Sequence, residues 1–109
     1  KQLGPPPKKP DAPPGLSSNY FHDNLEIGSL LNVMAPAGDF YIKTSADAPV
    51  VLIGGGIGLT PVLSMLNTIV DTGSTRETWF FYGTVNGEQH AFKEHLNKFR
   101  DIPNINIVI

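Results

Sequence analysis

Residues 50–66 read VVLIGGGIGLTPVLSML: an apolar run, four glycines in five positions, then an apolar pattern of a different period. The continuous run at 50–53 is what a parallel strand covered on both faces looks like. Beyond the glycines, Val62, Leu66, Ile69 and Val70 recur at helical spacing, which predicts a helix over about 61–71. The following DTGSTRE closes that helix with Gly73, a residue suited to the left-handed conformation past a helix end. TWFFY at 78–82 is a second buried strand rich in aromatics. EQHAFKEHLNKFRD at 88–101 reads as a second amphipathic helix with Phe92, Leu96 and Phe99 inward, stopped by Pro103. INIVI at 105–109 begins a third strand. Strand, helix, strand, helix, strand predicts a parallel sheet with right-handed crossovers.

The glycine bend has a chemical reading as well as a structural one. In open α/β sheets, ligands sit beyond the carboxyl ends of the strands, where loop meets helix. Thr60 can cap the helix with its hydroxyl, and Pro61 suits the first helical position because its missing N–H would have no partner there. The amides of Gly58, Leu59 and Thr60 are expected to point outward at the positive end of the helix. A phosphate there gains on the order of 0.3–1 kcal/mol from the helix dipole, plus its hydrogen bonds. Glycine keeps Cβ atoms out of the way of a close backbone approach. The phosphate loop of ATPases does not fit, because no lysine lies between Lys43 and Lys93. The G-x-G-x-x-G dinucleotide fingerprint does not fit either, since Leu59 or Pro61 falls where its last glycine belongs. A plain strand-to-helix turn is the competing account.

Upstream, residues 4–15 (GPPPKKPDAPPG) hold six of the chain's ten prolines and read as an exposed, locally extended loop. Ser17 or Ser18 can cap a short helix in SSNYFHDNL, with Tyr20 and Phe21 on its buried side. EIGSLLNVMAPAGDFYI then reads as two short strands: Leu31, Val33 and Ala35 alternate, Pro36 breaks the ladder, and Gly38-Asp39 turn towards Phe40, Tyr41 and Ile42. Two units are therefore expected, 1–47 and 48–109. Both look unfinished, which is the expectation for part of a longer protein. The whole is 109 residues with 40% apolar and 17% charged residues, a globular composition. A formal charge of −2 without a basic tract argues against a nucleic-acid binder. With no cysteine, disulfides and thiolate-held metal centres are excluded in this stretch. There is no membrane-length apolar run and no signal peptide, which makes the cytoplasm the default compartment.

The string GGGIGLTPVLSML resembles the pyridine-nucleotide loop of the ferredoxin–NADP reductase superfamily, in which Gly-Gly-Gly-Ile/Val-Gly-x-Thr-Pro is characteristic. PPGLSSNYFHDNLEIGSLLNVMAPAGDFYI is similar to the end of that family's flavin-binding barrel. WFFYG and NGEQHAFKEHLNKF continue the match, so nearly all of 15–109 is covered by three motifs in order. SNYFHD and NGEQHAFKEHL look most like the reductase part of flavohaemoglobins and of related oxygenase reductases. The resemblance implies the end of an antiparallel flavin-binding barrel (1–47) joined to the first half of a parallel-sheet nucleotide domain (48–109). It also implies two cofactor sites. Gly15, Leu16, Ser17 and Ser18 would face the pyrophosphate of FAD. Gly54, Gly55, Gly56, Ile57, Gly58, Leu59, Thr60 and Pro61 would hold that of NAD(P)H, with Thr60 near the nicotinamide. Ser17 stands where the family often has an apolar residue.

That family passes a hydride from NAD(P)H to FAD, then single electrons to a haem or iron–sulfur acceptor. No catalytic acid or base is expected in this stretch, no metal ligand set is found, and 1–109 alone is expected to be inactive. A non-catalytic nucleotide-binding module that kept the fold is the alternative. It would gain if the family's Arg-x-Tyr-Ser/Thr flavin motif were missing upstream of Lys1. Residues 82–89 (YGTVNGEQ) carry no Lys or Arg, and Val85 stands where many relatives place Arg. NADH is therefore favoured over NADPH. Arg76 precedes the second strand and falls at its opposite end. Glu88 could bond a ribose hydroxyl or simply start a helix. His22, His90 and His95 are read as solvated or partly packed, Met34 and Met65 as core filler, Trp79, Phe80 and Phe81 as strand core, and Lys8-Lys9 as a solvated pair.

Overall fold

The computed structural model describes residues 4–109, and the chain falls into two compact units, one ending at Ala37 and one spanning Gly38–Ile109. Lys1, Gln2 and Leu3 of the expected first unit lie outside the described residues.

In the second unit, β1 (Val50–Gly55), β2 (Thr78–Gly83) and β3 (Ile105–Val108) form a parallel sheet in the order β1-β2-β3. Val50 pairs with Thr78 and Gly55 with Gly83, while Thr78 also pairs with Ile105. Strand alternation sends Leu52, Phe80, Tyr82 and Ile105 to one side. The helix α2 (Leu59–Asp71) brings Leu59, Val62, Leu63, Leu66 and Ile69 to the same core, and α3 (Lys93–Asn97) adds Leu96, with Phe99 just beyond it. His95 and Asn67 tie the two helices through a 2.8 Å hydrogen bond between Nε2 and Oδ1. At the end of α2, Gly73 takes φ 64°, its N–H donates to Val70 O, and the Ser74 N–H donates to Ile69 O. This pair of bonds closes the helix as its glycine required.

The second crossover departs from its pattern. Instead of one helix over 88–101, a 3-10 turn at Gly87–Gln89 precedes Phe92, whose φ of 60° is left-handed, and α3 has only five residues. Phe92 is half exposed rather than inward. A helical hydrophobic period does not register a single residue that leaves the right-handed basin, and one such residue ends a helix.

Burial of the sheet is also one-sided among the described residues. Val51, Ile53, Trp79 and Phe81 point away from the core and remain partly or largely exposed, although an apolar run suggested cover on both faces. Trp79 and Phe81 stack on each other at 6.2 Å, and Trp79 Nε1 donates to Glu77 Oε1. Ahead of β1, the guanidinium of Arg76 donates to Ala48 O at 2.6 and 3.0 Å and to Lys43 O at 3.3 Å. It anchors the approach segment at the amino end of the sheet, as its place before β2 demands.

The first unit contains α1 (Leu16–Asn24), with Gly15 as N-cap. Neither serine caps it: Ser18 Oγ donates to the Gly15 carbonyl, inside the first turn. Tyr20 and Phe21 are half exposed and meet edge to face at 6.4 Å, and no residue of α1 is buried. The two strands expected within 26–42 do not form. Leu30, Val33 and Met34 lie almost fully exposed, so Met34 fills no core. A strand is defined by the partner that takes its N–H and C=O groups, and alternation in sequence supplies none. No helix among the described residues is long and apolar enough to cross a membrane.

Leu66 is completely buried. Leu66→Ala is expected to lower the unfolding free energy by about 2–5 kcal/mol. Val33→Ala, at an exposed site, should change it by less than ~0.5 kcal/mol. Urea-induced unfolding of both variants checks the contrast.

Candidate functional site

The glycine bend leaves β1 at its carboxyl end and becomes helical at once: a 3-10 turn at Gly56–Gly58 runs directly into α2. The four glycines are there for different reasons. A Cβ on Gly54 would lie 2.6 Å from Val62 Cγ2 and 3.2 Å from both Gly58 O and Leu59 Cα. Valine is stiff and backbone cannot retreat, so the bare Gly54 sets how closely helix and strand approach. A Cβ on Gly55 would sit 3.3 Å from Gly83 O on the neighbouring strand. Gly56 has φ 52°, the left-handed region, and open space around it. Gly58 is unlike the other three: its φ of −64° and ψ of −11° suit any residue, and nothing lies within 4 Å of a Cβ placed there. Its missing side chain answers no demand of the protein's own interior.

The helical run begins at Gly56, five residues before the start near Pro61 that the sequence pattern places. The Leu59 N–H donates to the carbonyls of Gly56 and Ile57 and is not free for a ligand. Gly56 and Ile57 lead the run instead, and the leading amides of a helical run have no partner within it. Thr60 is not the cap; it lies inside α2, and its hydroxyl donates to Ile57 O at 3.0 Å. Pro61 is the third residue of α2 rather than its first, and the Ile57 carbonyl four residues back receives the Thr60 hydroxyl. Neither the 3-10 turn nor α2 has an acidic residue in its first turn, so no carboxylate there offsets this positive end.

Because Gly55 and Gly83 are in register, the bend after β2 leaves the sheet along the same edge, one strand over. There Thr84 Oγ1 donates to Asn86 O at 3.0 Å, and Val85 is exposed. Glu88 lies in the 3-10 turn. His90 packs against the buried Tyr82 ring at 5.3 Å. His90, Phe92, Lys93, Glu94, His95 and Lys98 line an open cleft of about 510 Å³. Reading 82–89 alone found no cation, but the folded chain adds Lys93 and Lys98 to this neighbourhood. Their place four and nine residues past Gln89 hid them. Gly83 and Tyr82 also escaped notice as site-forming residues, and their only trace in sequence is a glycine ending an aromatic strand.

The other candidate group lies in the first unit. Gly15 opens α1 without a side chain, Leu16 and Ser17 are exposed, and no acidic residue occupies the first turn. The Gly15 carbonyl receives the Asn19 N–H at 3.1 Å, Asn19 Nδ2 at 2.7 Å and the Ser18 hydroxyl at 3.2 Å. His22 falls in the last turn of α1.

Residues 52–108 match the family model described as the oxidoreductase NAD-binding domain. The chain is similar to flavohemoproteins over 86 residues, 79% of its length and 21% of theirs. It is 48% identical to that of Bacillus thuringiensis subsp. konkukian (strain 97-27), 44% to that of Halalkalibacterium halodurans and 42% to that of Burkholderia sp. (strain TH2). The chain thus spans about a fifth of the length of these relatives.

The glycines separate two demands. Gly54→Val is expected to destabilise the fold by about 1–3 kcal/mol through overpacking. Gly58→Ala should leave stability unchanged or raise it by up to ~1 kcal/mol, because alanine is the better helix former. If Gly58→Ala proves as damaging as Gly54→Val in thermal unfolding, the space beside Gly58 is not open.

Proposed function

The chain belongs to the oxidoreductase NAD-binding domain family, and from that premise we propose that it works within a larger flavin-dependent NAD(P)H reductase. Residues 48–109 belong to its nucleotide domain and 1–47 to the end of a flavin-binding barrel. The nicotinamide and flavin, when bound, supply hydride transfer and the one-electron release that follows. Because the similar flavohemoproteins carry haem in their name, a haem is the favoured electron acceptor, with an iron–sulfur centre as the other.

The observation that carries this reading is the vacancy at Gly58 beside an unneutralised helix start. A pyrophosphate fits both features: it needs a close backbone and a positive end, and it has no use for a side chain. Gly56, Ile57 and Gly58 would give it the leading amides of the helical run. Gly54 and Gly55 act indirectly, by letting α2 and β2 close around the bend. Thr60 bonds its hydroxyl to Ile57 O, which steadies the bend from the helix side. In the first unit, the bare start of α1 at Gly15, with Leu16, Ser17 and Ser18, would meet the pyrophosphate of FAD by the same physics. The proposed chemistry calls on no acid or base of this stretch: its part would be to orient two rings and offset phosphate charge.

NADH is the proposed donor. The bend at 83–89 itself carries no cation, so the extra phosphate of NADPH would find a partner only by reaching Lys93 or Lys98 in the neighbouring cleft.

In the parent protein, the flavin absorption band should bleach on adding NADH, and kcat/KM should exceed that for NADPH by about tenfold, one lost charge-assisted contact. Gly56→Val, a branched residue in the left-handed region, should raise KM for NADH by roughly tenfold and leave the FAD content intact. A colourless protein indifferent to NADH would end the proposal. Equal loss of nucleotide and flavin binding in Gly56→Val would contradict the division into two sites.

A further inference from the structure

Asn86 is the only asparagine in the sequence that is followed by glycine. Such a pair can react within itself: the glycine nitrogen attacks Cγ of the asparagine side chain, closes a five-membered imide and expels ammonia. Two barriers ordinarily hold this back. A side chain on the attacking residue obstructs the approach, and an amide nitrogen is a poor nucleophile until it loses its proton. The bend after β2 lowers both.

Val85, Asn86 and Gly87 are exposed, and nothing lies within 4 Å of a Cβ placed on Gly87, so the approach is uncovered. Gly87 also leads the 3-10 turn, and the leading amide of a helical run has no acceptor inside that run. Thr84 addresses the second barrier. Its hydroxyl donates to Asn86 O at 3.0 Å. That oxygen belongs to the same peptide group as the attacking nitrogen, so resonance places on it part of the charge left by the lost proton. A hydrogen bond to a charged acceptor is roughly twice as strong as one to a neutral acceptor. Thr84 therefore stabilises the nucleophilic form more than the resting one. Other asparagines are placed differently: Asn67 Oδ1 bonds His95, and Asn104 Nδ2 donates to Ser74 O and Arg76 O.

We propose that Asn86-Gly87 is a self-modifying site that deamidates with the help of Thr84. The bond from Gly87 N to Asn86 Cγ forms, the Cγ–Nδ2 bond breaks, and Nδ2 leaves as ammonia with the proton given up by Gly87. Water then opens the ring. Opening at Cγ leaves aspartate; opening at the backbone carbonyl leaves isoaspartate, whose main chain runs through Cβ and Cγ. No oxidant or cofactor enters. Either product sets one carboxylate on the edge where the bends after β1 and β2 emerge side by side. The consequence for the coenzyme rests on the reductase reading above: that carboxylate repels the pyrophosphate, so the chain loses NADH affinity as it ages.

The experiment ages the intact parent protein in warm, mildly alkaline buffer and follows peptides covering 84–89 by mass and by enzymatic methylation of isoaspartate. Wild type should gain the mass of an amide-to-acid exchange at Asn86, faster than at Asn67 or Asn104. Thr84→Val keeps the shape without the hydroxyl and should slow the reaction by roughly two- to tenfold, the range of one hydrogen bond. Gly87→Ala should slow it severalfold and leave the melting temperature unchanged or raised, since Gly87 is not left-handed. Asn86→Asp, assayed fresh at low salt, should raise KM for NADH by about twofold, one screened like charge. No mass gain at Asn86 overturns the site, and equal rates in wild type and Thr84→Val overturn the role of Thr84. An unchanged KM in Asn86→Asp removes the consequence for the coenzyme while the reductase reading stands. Wild-type flavin that NADH fails to bleach sinks that reading and leaves the deamidation result intact.

Discussion

The second unit depends on one close contact, where α2 passes the end of β1. At Gly54 there is no room even for a methyl group: Val62 Cγ2 would be 2.6 Å from it. That approach lets Leu59, Val62 and Leu63 reach the core beside Leu52 and Phe80. It also forces the chain to reverse within a few residues, through the left-handed Gly56 and a tight 3-10 turn. The start of a helix is thereby held over the carboxyl end of a strand, the place where parallel sheets receive their ligands. Packing and site geometry follow from the same missing side chain.

The parallel half of the fold was legible in the sequence because its signals are local and agree with one another. A continuous apolar run gave β1, the spacing of Val62, Leu66 and Ile69 gave α2, and Gly73 marked its end down to the pattern of carbonyls satisfied. The bend that carries the candidate site was legible as a strand-to-helix junction, but the partners of its amides were not. Leu59 and Thr60 turn their donors inward because the helical run starts at Gly56, and no residue type announces a 3-10 turn in advance. The stretch 26–42 failed for another reason. Its alternation was real, yet a strand needs a neighbour, and nothing in the stretch itself names one. Phe92 is the third kind of failure: the hydrophobic period of 88–101 describes a helix correctly except at the one residue whose backbone leaves it.

The sheet's two faces differ in a way the sequence does not. Val51, Ile53, Trp79 and Phe81 are as apolar as Leu52, Phe80 and Tyr82, but among the described residues only the second set is covered. Solvent would ordinarily select polar residues on an open face of a sheet. A stretch written for burial on both sides, in a chain that spans about a fifth of its relatives' length, accords with work inside a larger reductase.

In the glycine bend, demands that often conflict fall on different residues. A ligand site usually costs stability, because the groups that suit the ligand do not suit the fold. Here Gly54 and Gly55 serve packing, Gly56 serves the reversal of the chain, and Gly58 serves neither. A residue that the folded chain does not need as glycine, at the positive end of a helix, is what the proposed pyrophosphate site would call for. The strand-to-helix turn accounts for three of the four glycines. The fourth is the one that the proposed nucleotide site would use.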